Sequence, residues 1–158
     1  MDEYRFELAS HRDAAAIASL SRRVIEAGLP PAWPADRVLC HIKRIDSVVV
    51  TARMHGLLAG FAIMQFGDSQ AHLNLLAVES AFQRRGLGRQ LMNWLHESAL
   101  VAGTFDVGLE LRANNIGARR FYESLSYRAG DLMRGYYQGI EDALRMSRDL
   151  RVDRSLTA

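Results

Sequence analysis

The sequence contains little cysteine and little proline, and it has no long apolar run. Cys40 is the only cysteine among 158 residues, so a disulfide within the chain and a cysteine-based metal site are both excluded. No segment approaches the roughly 20 apolar residues that a helix needs to cross a bilayer. The first residues, Met1 to Arg5, lack the basic and then apolar order of a signal peptide. We therefore expect a cytoplasmic protein without a membrane partner.

The charge of the chain is nearly balanced, which argues against a nucleic-acid partner. The formal net charge is +2, although the sequence pI is about 9.0. The arginines are scattered, without a basic block or an interleaved aromatic series, so we interpret them as solvated surface. Apolar residues make up 49% of the chain, which is ordinary for a globular protein. We predict a single domain at residues 1–150 and a polar tail at 151–158, in a monomer or homodimer.

Hydrophobic periodicity predicts the element order β-α-α-β-β-β-α-β-α-β-β. The expected strands are Tyr4–Leu8, Ser47–Met54, Leu57–Phe66, Ala71–Val78, Asp106–Leu111, Tyr127–Met133 and Asp142–Arg148. The expected helices are His11–Ala27, Pro34–Ile45, Gly88–Val101 and Asn115–Leu125. The second helix is expected to turn Val38, Ile42 and Ile45 to one side.

Short turns and proline set the connections between these elements. The first helix ends at Gly28 to Pro31, because proline cannot continue a helix. Turn residues at His55-Gly56 and Gly67-Asp68 make the three middle strands an antiparallel meander. The later part of the chain follows a βαβ order. We therefore predict an α/β fold class with a mixed sheet that helices cover on both faces.

The segment Gln83-Arg84-Arg85-Gly86-Leu87-Gly88 joins a strand to the start of the most strongly predicted helix. A helix start carries unpaired N–H groups and partial positive charge. Gly86 and Gly88 allow close backbone approach and positive φ, and the arginines, including Arg89, add charge, so the segment suits a pyrophosphate. It is neither a Walker A loop nor a GxGxxG motif, since Gly-Lys-Ser/Thr and the third glycine are missing. A plain strand-to-helix turn is the alternative interpretation.

This loop and the segments around it resemble the GNAT acetyltransferase superfamily. The pattern Gln/Arg-x-x-Gly-x-Gly/Ala at a strand-to-helix junction is the acetyl-CoA signature of that family, and Leu75-Leu76-Ala77-Val78 looks like its fourth strand. Leu109 to Asn115 and Phe121 to Leu125 are similar to the RimI-like branch, which acetylates the α-amine of protein N-termini. The ending Gly135-Tyr136-Tyr137 and then Glu141 to Met146 is also similar to that branch.

The resemblance covers residues 71–148 and has two departures. The segment Pro30 to Pro34 does not reproduce the usual Phe-Pro-Trp pattern, and Leu125-Ser126-Tyr127 replaces Leu-Gly-Phe. The resemblance implies a GNAT-like acyl-CoA N-acyltransferase fold and acetyl-CoA as cofactor. It assigns cofactor contacts to Leu76, Ala77, Val78, Gln83, Arg84, Arg85, Gly86, Leu87, Gly88, Arg89, Asn115 and Tyr122.

Acetyl transfer needs a neutral amine, and two residues are candidates for the base. Glu110 lies where RimI-like enzymes carry their glutamate and could act through a water; alternatively it is only an exposed edge-strand glutamate. His72 lies where histone-acetylating relatives place their catalytic glutamate, and a histidine can accept a proton near pH 7. Alternatively, His72 is a polar sheet residue bonded to a neighbour. Strand alternation places His72, Asn74 and Leu76 on one face of their strand.

The remaining candidates serve the leaving group and the acceptor. Tyr122 is the candidate general acid for the CoA sulfur, or else a core aromatic. Asn115 caps its helix, binds the pantetheine arm, or does both. By analogy with the family, backbone N–H groups at Leu76 to Val78 would stabilise the oxyanion. Tyr136 and Tyr137, in a loop-like segment, line the acceptor channel or pack the loop.

Three functions follow from these candidates. The first is an N-acetyltransferase that transfers acetyl to a protein N-terminal α-amine by direct attack in a ternary complex. The second is acetylation of a small amine, such as a polyamine, an amino acid or a drug-like molecule. The third is an acyl-CoA-binding module without catalysis. A covalent route through Cys40 is disfavoured, because that residue lies among apolar helix positions.

Overall fold

The elements follow the predicted order along residues 3–152, which the computed structural model describes. The strands are β1 (Arg5–Leu8), β2 (Ser47–Met54), β3 (Leu57–Phe66), β4 (Gln70–Val78), β5 (Asp106–Arg112), β6 (Arg128–Tyr137) and β7 (Glu141–Asp149). The α-helices are α1 (Ala14–Val24), α2 (Ala35–Lys43), α3 (Leu87–Ala102) and α4 (Ile116–Ser124). Short 3-10 turns occupy His11–Asp13 and Ser80–Phe82. Most of the predicted tail, residues 153–158, lies outside the described residues.

The strands form a mixed seven-stranded sheet in the order β1-β2-β3-β4-β5-β7-β6. β1, β2 and β3 pair antiparallel through consecutive hydrogen-bonded neighbours. β4 pairs parallel with β5, whereas β7 pairs antiparallel with both β5 and β6. The predicted α/β fold class with a mixed sheet is confirmed. The last strand of the chain is inserted between β5 and β6, which places β7 side chains next to those of β5.

The chain divides into two compact units. The first comprises Met1–Gln65 and Asn74–Leu95, and the second comprises Phe66–Leu73 and His96–Ala158. One domain over residues 1–150 stays a prediction. Among the described residues, none of the helices combines the length and the hydropathy required to cross a membrane.

Helices cover both faces of the sheet portion in the first unit. Phe61 on β3 belongs to a buried cluster that includes Ile17 of α1 and Val38 of α2. The preceding residue, Gly60, faces the opposite side, because successive strand residues alternate. A Cβ atom at Gly60 would lie 3.2 Å from Leu91 Cδ1 of α3. The predicted helices on both faces are therefore present within this unit.

Two helix ends differ from the predicted bounds. α1 ends at Val24 rather than Ala27. α2 ends at Lys43, and Arg44 is already extended with a 2.8 Å ion pair to Asp46. Ile45 consequently lies outside the helix and is fully exposed, so its predicted place on the apolar face is wrong. The Arg44–Asp46 ion pair lies within the short connection from α2 to β2.

The β6–β7 hairpin also corrects the sequence interpretation. Tyr136 and Tyr137 were expected in a loop, but they are the last two residues of β6. Tyr137 pairs with Glu141 across the hairpin, and the turn uses left-handed Gln138 and Gly139 at φ 56° and 73°. Gly139 therefore serves the tight turn, and Gly135, left-handed at φ 64°, lies in the irregular stretch of β6 between Met133 and Tyr137.

We predict that Gly60→Ala destabilises the protein. The new Cβ would lie 2.9 Å from the Ala77 carbonyl oxygen, which is backbone and cannot move aside as a side chain can. Overpacking of this kind costs about 1–3 kcal/mol. Urea unfolding should reveal a lower midpoint. The control is Gly117→Ala in α4, where the nearest heavy atom is 3.8 Å away and the stability should be unchanged or higher. An unchanged midpoint for Gly60→Ala would contradict the packing described here.

Candidate active site

Glu110 is a buried carboxylate in the middle of a strand of the second unit. Alternation along β5 turns Val107, Leu109 and Leu111 into the core and Glu110 to the other face, as predicted. The Glu110 side chain is only 4% exposed. A carboxylate buried to this extent needs hydrogen bonds or an opposite charge, because it has lost most of its water. The surrounding strands supply both.

Three side chains from three neighbouring strands hold the Glu110 carboxylate. His72 Nε2 of β4 lies 2.6 Å from Glu110 Oε1. The hydroxyl of Tyr136 on β6 donates to the same oxygen at 3.1 Å. Arg145, directly opposite Glu110 on β7, donates from Nε to Oε2 at 3.1 Å, and its Nη2 forms an ion pair with the same oxygen at 3.1 Å. We call these four residues the Glu110 cluster. Both carboxylate oxygens are therefore engaged.

The contacts of the cluster keep Glu110 ionised. Burial alone would raise the pKa of Glu110, since it disfavours the charged form. The hydrogen bonds from His72 and Tyr136 and the charge of Arg145 outweigh this effect, and they lower the pKa below its ordinary value of 4.5. Glu110 is a stable anion at neutral pH. A carboxylate with a lowered pKa is also a weak proton acceptor.

His72 and Glu110, which the sequence presented as competing bases, are partners. His72 lies on the half-buried face of β4 with Asn74 and Leu76, as the alternation predicted. Its pairing with Gly108 on β5 places it beside Glu110, two residues further along that strand. The His72 side chain is 43% exposed, ten times the fraction of Glu110. The histidine is the member of the pair that solvent reaches.

The tyrosines named from the sequence lie close to this cluster within the second unit. Burial raises the pKa of Tyr137, and nearby Tyr136 and Glu110 raise it further. Burial likewise raises the pKa of Tyr122 on α4, with a further contribution from Tyr137. Tyr122 therefore keeps its proton at neutral pH. Its ring also meets the edge of Tyr127, at 5.6 Å between centroids.

The segment Leu125-Ser126-Tyr127, which departs from the usual family pattern Leu-Gly-Phe, has a structural explanation. Ser126 adopts φ 70°, a left-handed conformation that glycine adopts without strain. The Tyr127 hydroxyl, which phenylalanine lacks, lies 2.7 Å from Nε2 of buried His96. The additional polar group is thus matched by a polar partner on α3.

The glycine loop belongs to the first unit and is only partly as predicted. Gly86 adopts φ 82°, and Arg84 is also left-handed, at 63°. Gly88 lies inside the first turn of α3, which begins at Leu87, so the positive φ expected there is wrong. The side-chain amide of Gln83 donates to the Val78 carbonyl at 2.9 Å and ties the loop to the end of β4.

The loop presents exposed backbone and positive charge to solvent. Arg84, Arg85, Gly86 and Arg89 are exposed. The first helical hydrogen bond of α3 joins the Gln90 amide to the Gly86 carbonyl at 3.1 Å, so the amides before Gln90 precede the helical ladder. A Cβ at Gly86 would meet no heavy atom within 4 Å. This arrangement can accommodate an anion.

Asn115 has the capping role that was one of its two predicted functions. It is the N-cap of α4, and its Oδ1 accepts the Ala118 amide at 3.0 Å. Contact with pantetheine stays a prediction. The same holds for the oxyanion role of the amides at Leu76 to Val78. The described register between β4 and β5 runs from Gln70 to Leu73. Cys40 is exposed on α2 rather than among apolar positions, and this part of the sequence interpretation is wrong.

The sequence analysis did not identify two charged residues that are important for the structure. Arg145 holds Glu110 from the neighbouring strand, but the pairing of β5 with β7 has no local sequence signal. Glu26 is buried, and its carboxylate accepts the Ser21 hydroxyl and the amides of Ala32 and Trp33. It organises the proline-rich segment after α1. The only sequence signal for the burial of Glu26 is its position at the end of an apolar helical pattern.

Residues 45–129 match the family model of the acetyltransferase (GNAT) domain. The chain belongs to the GNAT acetyltransferase family. It is 42% identical over 93 residues to the [ribosomal protein bS18]-alanine N-acetyltransferase of Salmonella typhimurium, an alignment that covers 57% of this chain and 63% of that protein. The match therefore spans less than two thirds of that relative. The predicted resemblance to the GNAT superfamily and its RimI-like branch is confirmed.

Two further comparisons cover more of the chain. It is 30% identical over 122 residues to the N-alpha-acetyltransferase RimI of Mycobacterium tuberculosis, which covers 74% of this chain and 75% of that protein. The crystal structure of the ribosomal-protein-S18-alanine N-acetyltransferase from Escherichia coli superposes with a TM-score of 0.83 at 27% identity, over 96% of both chains. The GNAT fold class predicted from the sequence is therefore confirmed.

We predict that Glu110 stabilises the fold in a pH-dependent manner. Its pKa is lower in the folded protein than its ordinary value of 4.5, so the folded state binds this proton less readily than the unfolded chain. The stabilisation is complete above pH 4.5 and is lost as the pH falls through the folded pKa. Urea unfolding of wild type and Glu110→Gln at pH 6 and pH 3 should reveal a difference that shrinks in acid.

The control for this experiment is Glu123→Gln. Glu123 forms an exposed pair with Arg119 on α4, so its replacement should change stability little at either pH. A wild-type advantage over Glu110→Gln that stays constant or grows in acid would contradict the described environment of Glu110.

Proposed function

We propose that the chain transfers an acetyl group from acetyl-CoA to the α-amine of a protein N-terminus. The observation that carries this proposal is the 2.6 Å contact between His72 and the buried Glu110, two residues of the second unit that would together accept a proton. The named activities of the Salmonella and Mycobacterium relatives support the α-amine as acceptor. Acetyl-CoA would supply the activated carbonyl.

The first unit supplies the residues that would bind the donor. Left-handed Arg84 and Gly86 turn the loop at the start of α3, and the open space at Gly86 leaves room for phosphate oxygens. Arg84, Arg85 and Arg89 would add charge, and the amides of Leu87 and Gly88 would donate hydrogen bonds. Gln83 would act indirectly, because its side chain already binds Val78.

His72 would accept the proton of the acceptor amine. An α-amine has a pKa near 8, so a histidine is a suitable acceptor at neutral pH. Glu110 is poorly suited to direct contact, since both of its oxygens are occupied and its side chain is buried. We infer that Glu110 orients the His72 ring and stabilises the imidazolium once it forms. The two sequence candidates would then have different tasks in one step.

Tyr122 would stabilise the leaving sulfur by donating a hydrogen bond. Its pKa is raised by burial, so the hydroxyl is intact at neutral pH. Full proton transfer to a thiolate would be uphill, because the ordinary pKa of a thiol is about 8.5 and that of tyrosine about 10. Hydrogen bonding to a developing negative charge needs no complete transfer.

We predict that Gly86→Ala weakens acetyl-CoA binding by about tenfold. A non-glycine residue pays roughly 1–2 kcal/mol in the left-handed region, so the binding conformation of the loop is less populated. Isothermal calorimetry with acetyl-CoA measures this change. The control is Gly28→Ala, because Gly28 has the same φ of 82° and the same open surroundings but is not part of the loop. Equal affinities for the two variants, or no heat with wild type, would overturn the donor site.

We predict that His72→Ala and Glu110→Gln each lower kcat by about a hundredfold or more towards an N-terminal peptide. The double variant should be about as slow as either single variant, because the residues act as a unit. Tyr122→Phe should lower kcat with little change in KM. Thiol release from acetyl-CoA measures the rates, and His11→Ala, an exposed histidine, is the control.

The pH profile separates the roles of the pair. Glu110→Gln removes the charge that favours the imidazolium, so the acid limb of kcat/KM should move to lower pH. If His72→Ala keeps full activity while Glu110→Gln loses it, Glu110 acts without His72 and the assignment of the base is wrong.

A further inference from the structure

The chemistry of the Glu110 cluster bears on which N-termini the enzyme accepts, and this inference rests on the proposed function. We propose that Arg145 selects acceptors that carry a carboxylate beside the reacting amine, in particular an N-terminus whose second residue is Asp or Glu. Arg145 sits opposite Glu110 in the β5–β7 pairing. No sequence motif of the chain had assigned it a role.

The guanidinium of Arg145 has a second edge besides the one that contacts Glu110. Its hydrogen bond from Nε and its ion pair from Nη2 both go to the single oxygen Oε2 of Glu110. A guanidinium carries five N–H donors in a planar fork, so one edge bound to Glu110 leaves the Nη1–Nη2 edge for another acceptor. The Arg145 side chain is 52% exposed, so an arriving ligand can reach it. A carboxylate is the group that this fork binds in bidentate form.

The distance between Arg145 and His72 is compatible with contacts to the first two residues of one acceptor peptide. One carboxylate bridges the two residues, because His72 binds Oε1 and Arg145 binds Oε2 of Glu110. Two hydrogen bonds and a carboxylate separate His72 Nε2 from Arg145 Nε by roughly 8 Å at most, and the other ring nitrogen of His72 and the outer guanidinium edge each lie roughly 2 Å beyond these atoms. An α-amine at that ring nitrogen and the carboxylate of the next residue at Arg145 can span this distance, because each extended residue covers about 3.3–3.6 Å and the acidic side chain and two hydrogen bonds add to the reach.

The charges of the cluster favour the same class of acceptor. The positive charge of Arg145 balances the negative charge of Glu110, and the other two members, His72 and Tyr136, contain no carboxylate. With Glu110 ionised, the cluster is therefore neutral or positive, and it offers no attraction to a polycation. A polyamine or a lysine-rich N-terminus is disfavoured, whereas an acidic second residue gains a charge-assisted hydrogen bond.

The test compares three peptides that differ only at the second residue, which is Glu, Gln or Lys. With wild type and saturating acetyl-CoA, we expect kcat/KM for the Glu peptide to exceed that for the Gln peptide by roughly tenfold, with the Lys peptide lowest. In Arg145→Gln the Glu-to-Gln ratio should fall to about one. Arg145→Lys, which keeps the charge but not the fork, should retain part of the ratio.

The ratio of kcat/KM for the Glu and Gln peptides distinguishes a change in specificity from a general loss of activity at the proton-accepting residues. Loss of the Arg145 contact also loosens Glu110, but this slows all three peptides alike and leaves the ratio unchanged. Arg128→Gln, another exposed arginine of the second unit, is the matched control and should keep the wild-type ratio. Acetylation of all peptides at equal kcat/KM, or an unchanged ratio in Arg145→Gln, would overturn the role of Arg145. Failure to acetylate any peptide would instead overturn the proposed function.

Discussion

The second unit depends on the burial of one carboxylate. A charged group with 4% of its side chain exposed is tolerated only where hydrogen bonds and an opposite charge replace water. Glu110 obtains these from His72, Tyr136 and Arg145, each on a different strand. The strand order β5-β7-β6 is what makes this possible, because it places Arg145 directly beside Glu110. The polar cluster and the sheet topology therefore require one another.

The sequence was sufficient to predict which elements form and which faces they bury. Alternation in β4 and β5 correctly placed His72 and Glu110 away from the core, since the side-chain period of a strand is fixed locally. Arg145 could not be assigned in this way. Its contact with Glu110 depends on the pairing of β5 with β7. The two residues are 35 positions apart in the sequence, and nothing in the local pattern fixes the register of the two strands.

The errors in the sequence interpretation arose where one residue type serves several conformations. Gly135 and Gly139 suggested a loop, but a strand continues to Tyr137 and only a tight turn follows. Ile45 fits the helical apolar pattern, yet the backbone is already extended at Arg44, where the connection to β2 begins. Ser126 adopts a glycine-like φ. In each case a specific tertiary or turn contact overrides a residue's average preference.

The position of Glu110 in a family pattern does not by itself fix its chemical task. A glutamate with a free oxygen and a raised pKa can accept a proton directly. Here hydrogen bonds from His72 and Tyr136 and the charge of Arg145 keep the carboxylate ionised, and we propose that the half-exposed histidine meets the amine. Removing His72 or Arg145 would change the hydrogen bonding and the charge around the same glutamate. Under the proposed function, the strands next to β5 would therefore determine which residue accepts the proton.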